Sequence, residues 1–90
     1  MSLQSIPSIN RLFRLQFETA QDCYVLLFPE GMVKLNPSAG EIMARIDGEK
    51  TVSVIIKELQ AQFPDAGDLT LDVQEFLTTA QQKKWLIYES

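Results

Sequence analysis

A chain of 90 residues, 46% of them hydrophobic, is long enough for one small core and too apolar for a disordered polymer. Its formal charge of −4 leaves no net positive field for phosphates, so nucleic acid and anionic membrane surfaces are not default partners. With no histidine and a single cysteine, Cys23, the chain has no means of building a Cys/His zinc site, a Ser-His-Asp triad, a Cys-His pair or an internal disulfide; a cytoplasmic location is the natural expectation.

The first ten residues, MSLQSIPSIN, lack a basic start and an apolar run, and they read as a flexible segment ahead of one domain over residues 11–88. The longest apolar stretch, YVLLF, is far short of the roughly 20 residues that span a bilayer, so neither export nor membrane insertion is expected. Residues 11–17 alternate polar and apolar from Arg14 onward and predict the first strand of a hairpin, with residues 18–22 as its turn. Residues 22–28 predict a central strand, apolar on both faces. Pro29 lacks an amide donor and Gly31 accepts a positive φ, so Phe-Pro-Glu-Gly is a tight turn into a short third strand over residues 32–35.

Three helices follow. Asn36-Pro37, or alternatively the Ser38/Glu41 capping box, opens the first, whose apolar face is Ala39, Ile42, Met43 and Ile46 and which Asp47-Gly48 ends. Thr51 caps the second, where Val52, Ile55, Ile56, Leu59 and Phe63 share one face until Pro64 stops it. After the loop PDAGD, a third helix runs from residue 69 or 70 to 83, with Leu69, Val73, Phe76, Leu77 and Ala80 on one face. Residues 85–88 form a short apolar tail able to return as a strand. The simplest assembly is α+β: a three-stranded antiparallel sheet followed by three helices, in a winged helix-turn-helix-like arrangement.

Little of this is catalytic. Glu30, Glu41, Asp47 and Asp72 sit in no recognisable motif and read as solvated charge; Cys23, beside Tyr24 and Val25, reads as a packed side chain rather than a reactive thiol. The four glycines are too scattered to cradle phosphate. A winged-helix DNA-binding regulator is the alternative reading. It is disfavoured because the third helix carries Asp72 and Glu75 at its front, where base-contacting groups belong and where carboxylates repel phosphate. The third strand suggests a different role. It comes last in its hairpin order and lies at the sheet edge with open N–H and C=O groups, where an extended peptide can add as a further strand; a short, shielded edge is the plainer alternative.

The run LLFPEGMVKLNPSAGEIMARIDGEKTVSVIIKEL, followed by DVQEFLTTAQQKKWL, closely resembles the family of pyrroloquinoline quinone biosynthesis protein D, PqqD. The likeness covers residues 11–86 and rests on the leucine-rich strand, the Pro-Glu-Gly turn, the Leu-Asn strand end, the Asp-Gly helix end and the closing Trp-Leu. Two positions depart from the pattern: Phe28 stands where the family often has tyrosine, and Lys84 where glycine commonly precedes the tryptophan.

The resemblance implies a non-enzymatic chaperone without a cofactor, which binds the precursor peptide of pyrroloquinoline quinone and presents it to a radical SAM enzyme that joins a glutamate to a tyrosine. It also implies that the peptide adds as a strand between the third strand and the third helix. The expected contacts are then Met32, Val33, Lys34 and Leu35 on the strand and Leu69, Asp72, Val73 and Leu77 on the helix, with Phe76 held in the core. Lys34 and Asp72 would flank the groove with opposite charges. A homodimer through an exposed edge is a further open alternative.

Overall fold

A computed structural model describes residues 2–89. The element order is β1 (Ile6–Ile9), β2 (Arg14–Glu18), β3 (Cys23–Phe28), β4 (Gly31–Lys34), α1 (Pro37–Ala44), α2 (Val52–Gln62), a 3-10 turn (Pro64–Ala66), α3 (Thr70–Gln82) and β5 (Leu86–Glu89). The expected α+β plan is present: β2, β3 and β4 form a three-stranded antiparallel sheet in that order, and three helices follow. The central strand β3 carries the most buried residues of the sheet, Val25 and Leu26, because it alone is flanked on both sides.

The turn between β3 and β4 is the two-residue loop Pro29-Glu30, closed by the pair Phe28 and Gly31. Gly31 has φ +156. The helices are built as their caps dictate. The Asn36 side chain accepts the Ala39 amide at 2.8 Å, Pro37 occupies the first turn, and the Thr51 hydroxyl accepts the Val54 amide at 3.2 Å. One face of each helix enters a common core, made by Leu26 and Leu35 from the sheet side, Ile42 and Met43 of α1, Ile55, Ile56 and Leu59 of α2, Val73, Leu77 and Ala80 of α3, and Leu86 of β5. Helix α1 crosses β3 closely at Gly40, where a Cβ would lie 2.8 Å from Tyr24 Cδ2 and 3.3 Å from Tyr24 Cβ, so a side chain there would overpack the contact.

Three expectations are corrected. The segment expected to be flexible is residues 1–10; within it Ile6–Ile9 pairs with β5 in a separate two-stranded antiparallel sheet. Ahead of it, the carbonyls of Ser5 and Leu3 accept the Val52 and Ser53 amides, each at 2.9 Å. Those are amides of the first turn of α2, which have no partner within their own helix, and this explains why the segment is held. The domain therefore extends from this segment through β5.

Helix α1 ends at Ala44, ahead of Asp47-Gly48. There the chain tightens, the Arg45 amide bonding Ile42 and the Ile46 amide bonding Met43, while Ile46 keeps its place in the core. The Asp47 carboxylate instead holds the following turn by accepting the Glu49 and Lys50 amides, both at 2.9 Å. Phe63, expected on the buried face of α2, is the residue at which that helix ends and is 39% exposed.

At the end of α3, Lys84 has φ +69, the left-handed conformation that glycine adopts without strain. Its amide bonds the Gln81 carbonyl and the Trp85 amide reaches back to Ala80, both at 3.0 Å. This is the Schellman closure of a helix, so Lys84 occupies the position that most favours glycine.

Candidate functional site

The site is built from the β4 edge and an apolar groove beyond it. Among the described residues β4 is paired only with β3. Which of its backbone groups remain open follows from ladder alternation. The Leu35 amide donates to the Tyr24 carbonyl at 3.0 Å, and the register sets Lys34 opposite Val25, Val33 opposite Leu26 and Met32 opposite Leu27. In an antiparallel ladder hydrogen-bonded pairs alternate with non-bonded ones, so Leu35 and Val33 turn their amides and carbonyls toward β3, while Lys34 and Met32 turn theirs outward. Side chains alternate with the same period: Val33 and Leu35 pack toward the core, and Met32, 52% exposed, and Lys34 face solvent on the other side.

Beyond Leu35 the chain passes directly into the groove. It has a volume of about 580 Å³ and is lined by the first turns of α1 (Asn36, Pro37, Ser38, Ala39, Glu41, Ile42), the end of α2 (Leu59, Phe63), Ala66, and the first two turns of α3 (Leu69, Asp72, Val73, Phe76). Asn36 belongs to both parts, following the last residue of the strand run while capping α1. The start of α3 is set by Asp68, whose carboxylate accepts the Thr70 amide at 2.9 Å in place of a cap from Leu69. Hydrogen bonds from the Thr70 side chain and backbone hold the Asp68 carboxyl below the usual aspartate value, and the Lys50 and Glu49 amides do the same for Asp47.

The walls are apolar and the charge at the rim is negative. Asp72 is exposed in the first turn of α3, where the helix dipole favours a carboxylate. Glu41 is paired with Arg45 at 2.9 Å; Arg45 also bonds Gln62 and lies 3.7 Å from Glu58, which holds Lys50 at 3.0 Å. These bonds tie the end of α1 to α2.

The eight residues expected at the site divide into groups. Leu69, Asp72 and Val73 line the groove together, Val73 as its floor at 2% exposure. Met32, Val33 and Lys34 form the strand edge leading to it, and Leu35, 5% exposed, is a core residue offering no surface of its own. Leu77 is corrected: it is fully buried, touches no part of the groove, and belongs to the centre of the core. Phe76, assigned to the core, is half-buried and lines the groove, with its ring 6.5 Å from Trp85. Phe76 and Leu77 are one helical step apart, so their stripe spans both directions, and spacing alone does not say which residue meets the core. In the sequence Pro37 marks a helix start and Ile42, Leu59 and Phe63 fall on core faces; their meeting in the groove depends on how the three helices cross.

Among the described residues no group of three or more His, Cys, Asp or Glu side chains is placed to hold a metal ion, and no helix is long and apolar enough to cross a membrane. The class that this geometry defines is a small α+β domain with an open strand edge at β4 and, from Asn36 onward in the chain, an apolar groove between the three helices.

Comparison with known proteins supplies the family. The family model described as coenzyme PQQ synthesis protein D (PqqD) matches residues 23–86, and the chain belongs to that family. Similar curated proteins are named PqqA binding protein. One from Pseudomonas aeruginosa (strain UCBPP-PA14) is 49% identical over 85 residues, covering 94% of this chain and 92% of the relative. Another from Acinetobacter baylyi is 50% identical over 84 residues, covering 93% and 85%. The fold is also similar to the solution NMR structure of the PqqD truncation of Methylobacterium extorquens PqqCD, described as a functional and stand-alone recognition element for ribosomally synthesized and post-translational modified peptides. The TM-score is 0.78 at 30% identity, over 97% of this chain and 94% of that one.

Proposed function

We propose that this protein is a non-catalytic binding module for PqqA, the precursor peptide of pyrroloquinoline quinone, and that it presents the peptide to a radical SAM enzyme that joins a glutamate to a tyrosine. The observation carrying the reading is the outward-facing backbone of Met32 and Lys34, followed two residues further on by Asn36 and the apolar groove that it lines with the start of α3. The names borne by relatives at about half identity supply the ligand.

The peptide adds as a strand along β4, exchanging hydrogen bonds with Met32 and Lys34. Peptide side chains opposite Val33 and Leu35 lie on the core side of the sheet and run toward Leu69, Val73 and Phe76; those opposite Met32 and Lys34 face solvent. An apolar residue at every second position therefore suits the site. Backbone pairing supplies a large part of the affinity without catalytic side chains, which agrees with a protein that holds a substrate altered elsewhere. Lys34 and Asp72 carry opposite charges at the strand and groove ends and favour one peptide direction.

The test is a fluorescence-anisotropy titration of labelled PqqA with the protein, alongside labelled duplex DNA of unrelated sequence. Saturable one-to-one peptide binding with no DNA binding at physiological salt is expected. Salt-sensitive DNA binding with no response from the peptide contradicts the proposal.

A further inference from the structure

A second surface lies away from the groove, where β2 begins and β3 ends. Arg11, Leu12 and Arg14 line one side of a depression of about 390 Å³, and Leu27, Phe28 and Pro29 line the other. Its surroundings are fixed. The Phe13 and Phe28 rings sit 5.4 Å apart, and Asn10 pins the turn ahead of β2. The Asn10 side-chain oxygen accepts the Leu12 amide at 3.1 Å, its carbonyl accepts the Phe13 amide at 2.9 Å, and its side-chain amide donates to the Lys84 carbonyl at 2.8 Å. Leu12 is nevertheless 65% exposed, the most of any large apolar side chain among the described residues. Both arginines are exposed, and among the described residues neither makes an ion pair or a side-chain hydrogen bond. Arg45 and Lys50, by contrast, are tied to carboxylates, and Lys83 lies over the Trp85 ring. No carboxylate lines the depression: Glu30 follows Pro29 in the turn, and Glu18 stands at the far end of β2, accepting the Gln16 amide group at 2.8 Å. Two uncommitted guanidinium groups beside exposed apolar surface, in a chain of charge −4, fit a ligand that brings carboxylates and an apolar side chain together.

Arg14 and Leu27 carry the depression onto the sheet face turned away from α1. Helix α1 meets β3 at Tyr24, and by strand alternation Leu27 points to the opposite face, with Arg14 on β2 and Met32 on β4 as its cross-strand neighbours. A peptide strand added at β4 shows the side chains opposite Met32 and Lys34 on this same face, two strand spacings or about 10 Å from β3. We propose that this face is where the radical SAM enzyme docks, through an acidic segment of its surface that sets carboxylates against Arg11 and Arg14 and an apolar side chain against Leu12 and Leu27. The inference rests on the presentation step of the proposed function and adds the surface and the chemistry by which it occurs. An enzyme seated there lies beside the bound peptide without displacing it, so both sites can be filled together. The pinned turn under Leu12 reduces the ordering that docking requires.

Biolayer interferometry with the immobilised full chain, saturated with PqqA, and the purified radical SAM enzyme tests it with four samples: the wild type, an Arg11→Glu, Arg14→Glu double variant, Leu12→Ser, and Lys57→Glu, which reverses an exposed charge on α2. The arginine reversal should raise the Kd for the enzyme by about tenfold or more, largely through slower association, and wild-type binding should weaken as salt is added. Leu12→Ser should raise the Kd through faster dissociation, and Lys57→Glu should leave it at the wild-type value. Separate titrations should give all four samples the same affinity for PqqA, and circular dichroism checks that each exposed substitution leaves the fold intact. Unchanged enzyme binding by the arginine variant, equal weakening by Lys57→Glu, or loss of PqqA together with the enzyme in a folded arginine variant overturns the inference alone. A wild type that captures PqqA and does not bind the enzyme overturns the inference together with the presentation step, and leaves peptide binding standing.

Discussion

Replacing Lys34 with proline separates backbone pairing from the other contributions to peptide capture. The Lys34 amide points away from β3, so proline removes a donor that the folded protein does not use, and proline is tolerated on edge strands with that polarity. The restriction it places on the preceding residue favours extended backbone, which Val33 already has. One unreplaced backbone hydrogen bond to the peptide costs about 1 to 3 kcal/mol, which corresponds to roughly a 5- to 150-fold rise in Kd. Lys34→Ala, which keeps the amide, measures the side chain's share separately. Val33→Pro is the counterpart. Its amide faces Leu26 in the ladder, so its loss leaves a buried carbonyl unsatisfied and costs about 1 to 3 kcal/mol of folding stability, a fall in Tm of very roughly 4 to 20 °C in a domain of this size. Calorimetric titration with PqqA, paired with thermal melts by circular dichroism, reads both effects. If Lys34→Pro melts like the wild type and binds like Lys34→Ala, the peptide does not pair at that amide.

Phe76→Ala should weaken PqqA binding by more than tenfold while costing less stability than Leu77→Ala, whose fully buried side chain should cost about 2 to 5 kcal/mol; thermal melts and peptide titrations of both variants check the contrast. Lys84→Gly relieves a left-handed residue, a strain of about 1 to 2 kcal/mol against about 0.5 to 1 for glycine's greater unfolded freedom, so Tm should rise by a few degrees with PqqA affinity unchanged. Asp47 and Asp68 have carboxyl groups held below their ordinary 3.8, so their contribution is complete above that value and is lost as the pH falls through the lower folded values. Denaturation midpoints should therefore fall below about pH 4, and an Asp47→Asn, Asp68→Asn double variant should show a shallower fall in the same window.

Elements marked by local chemistry were legible in the sequence. Thr51 and Pro64 bracket α2, Asn36-Pro37 starts α1, and the Pro29-Glu30 turn sets β4 at the sheet edge, each through a side chain acting on its own neighbourhood. What depends on distant partners was hidden. The four residues of β1 include a proline and a serine and show no run of alternation, and they become a strand only because β5, nearly 80 positions away in the chain, is brought beside them. The early end of α1 reflects Arg45 folding back, its guanidinium bonding both the Glu41 carbonyl and the Glu41 carboxylate. The exchange of Phe76 and Leu77 between core and groove depends on how α3 is rotated against α1 and α2, which helical period does not encode. The two faces of β4 could be proposed from alternation, but which amides point outward required the register against β3.

The central claim is that PqqA lies along β4 and reaches the groove beside α3. Titrating the ¹⁵N-labelled protein with PqqA and following every backbone amide by NMR tests it most directly. The account predicts that the largest shifts and the strongest added protection from solvent exchange fall on Met32 and Lys34. Further shifts should run through Asn36 and along α3 at Leu69, Asp72, Val73 and Phe76, with the β2 edge at Leu15 and Phe17 little changed. Shifts confined to β2 or to the outer face of α2, with residues 32–36 and 69–76 undisturbed, would contradict it.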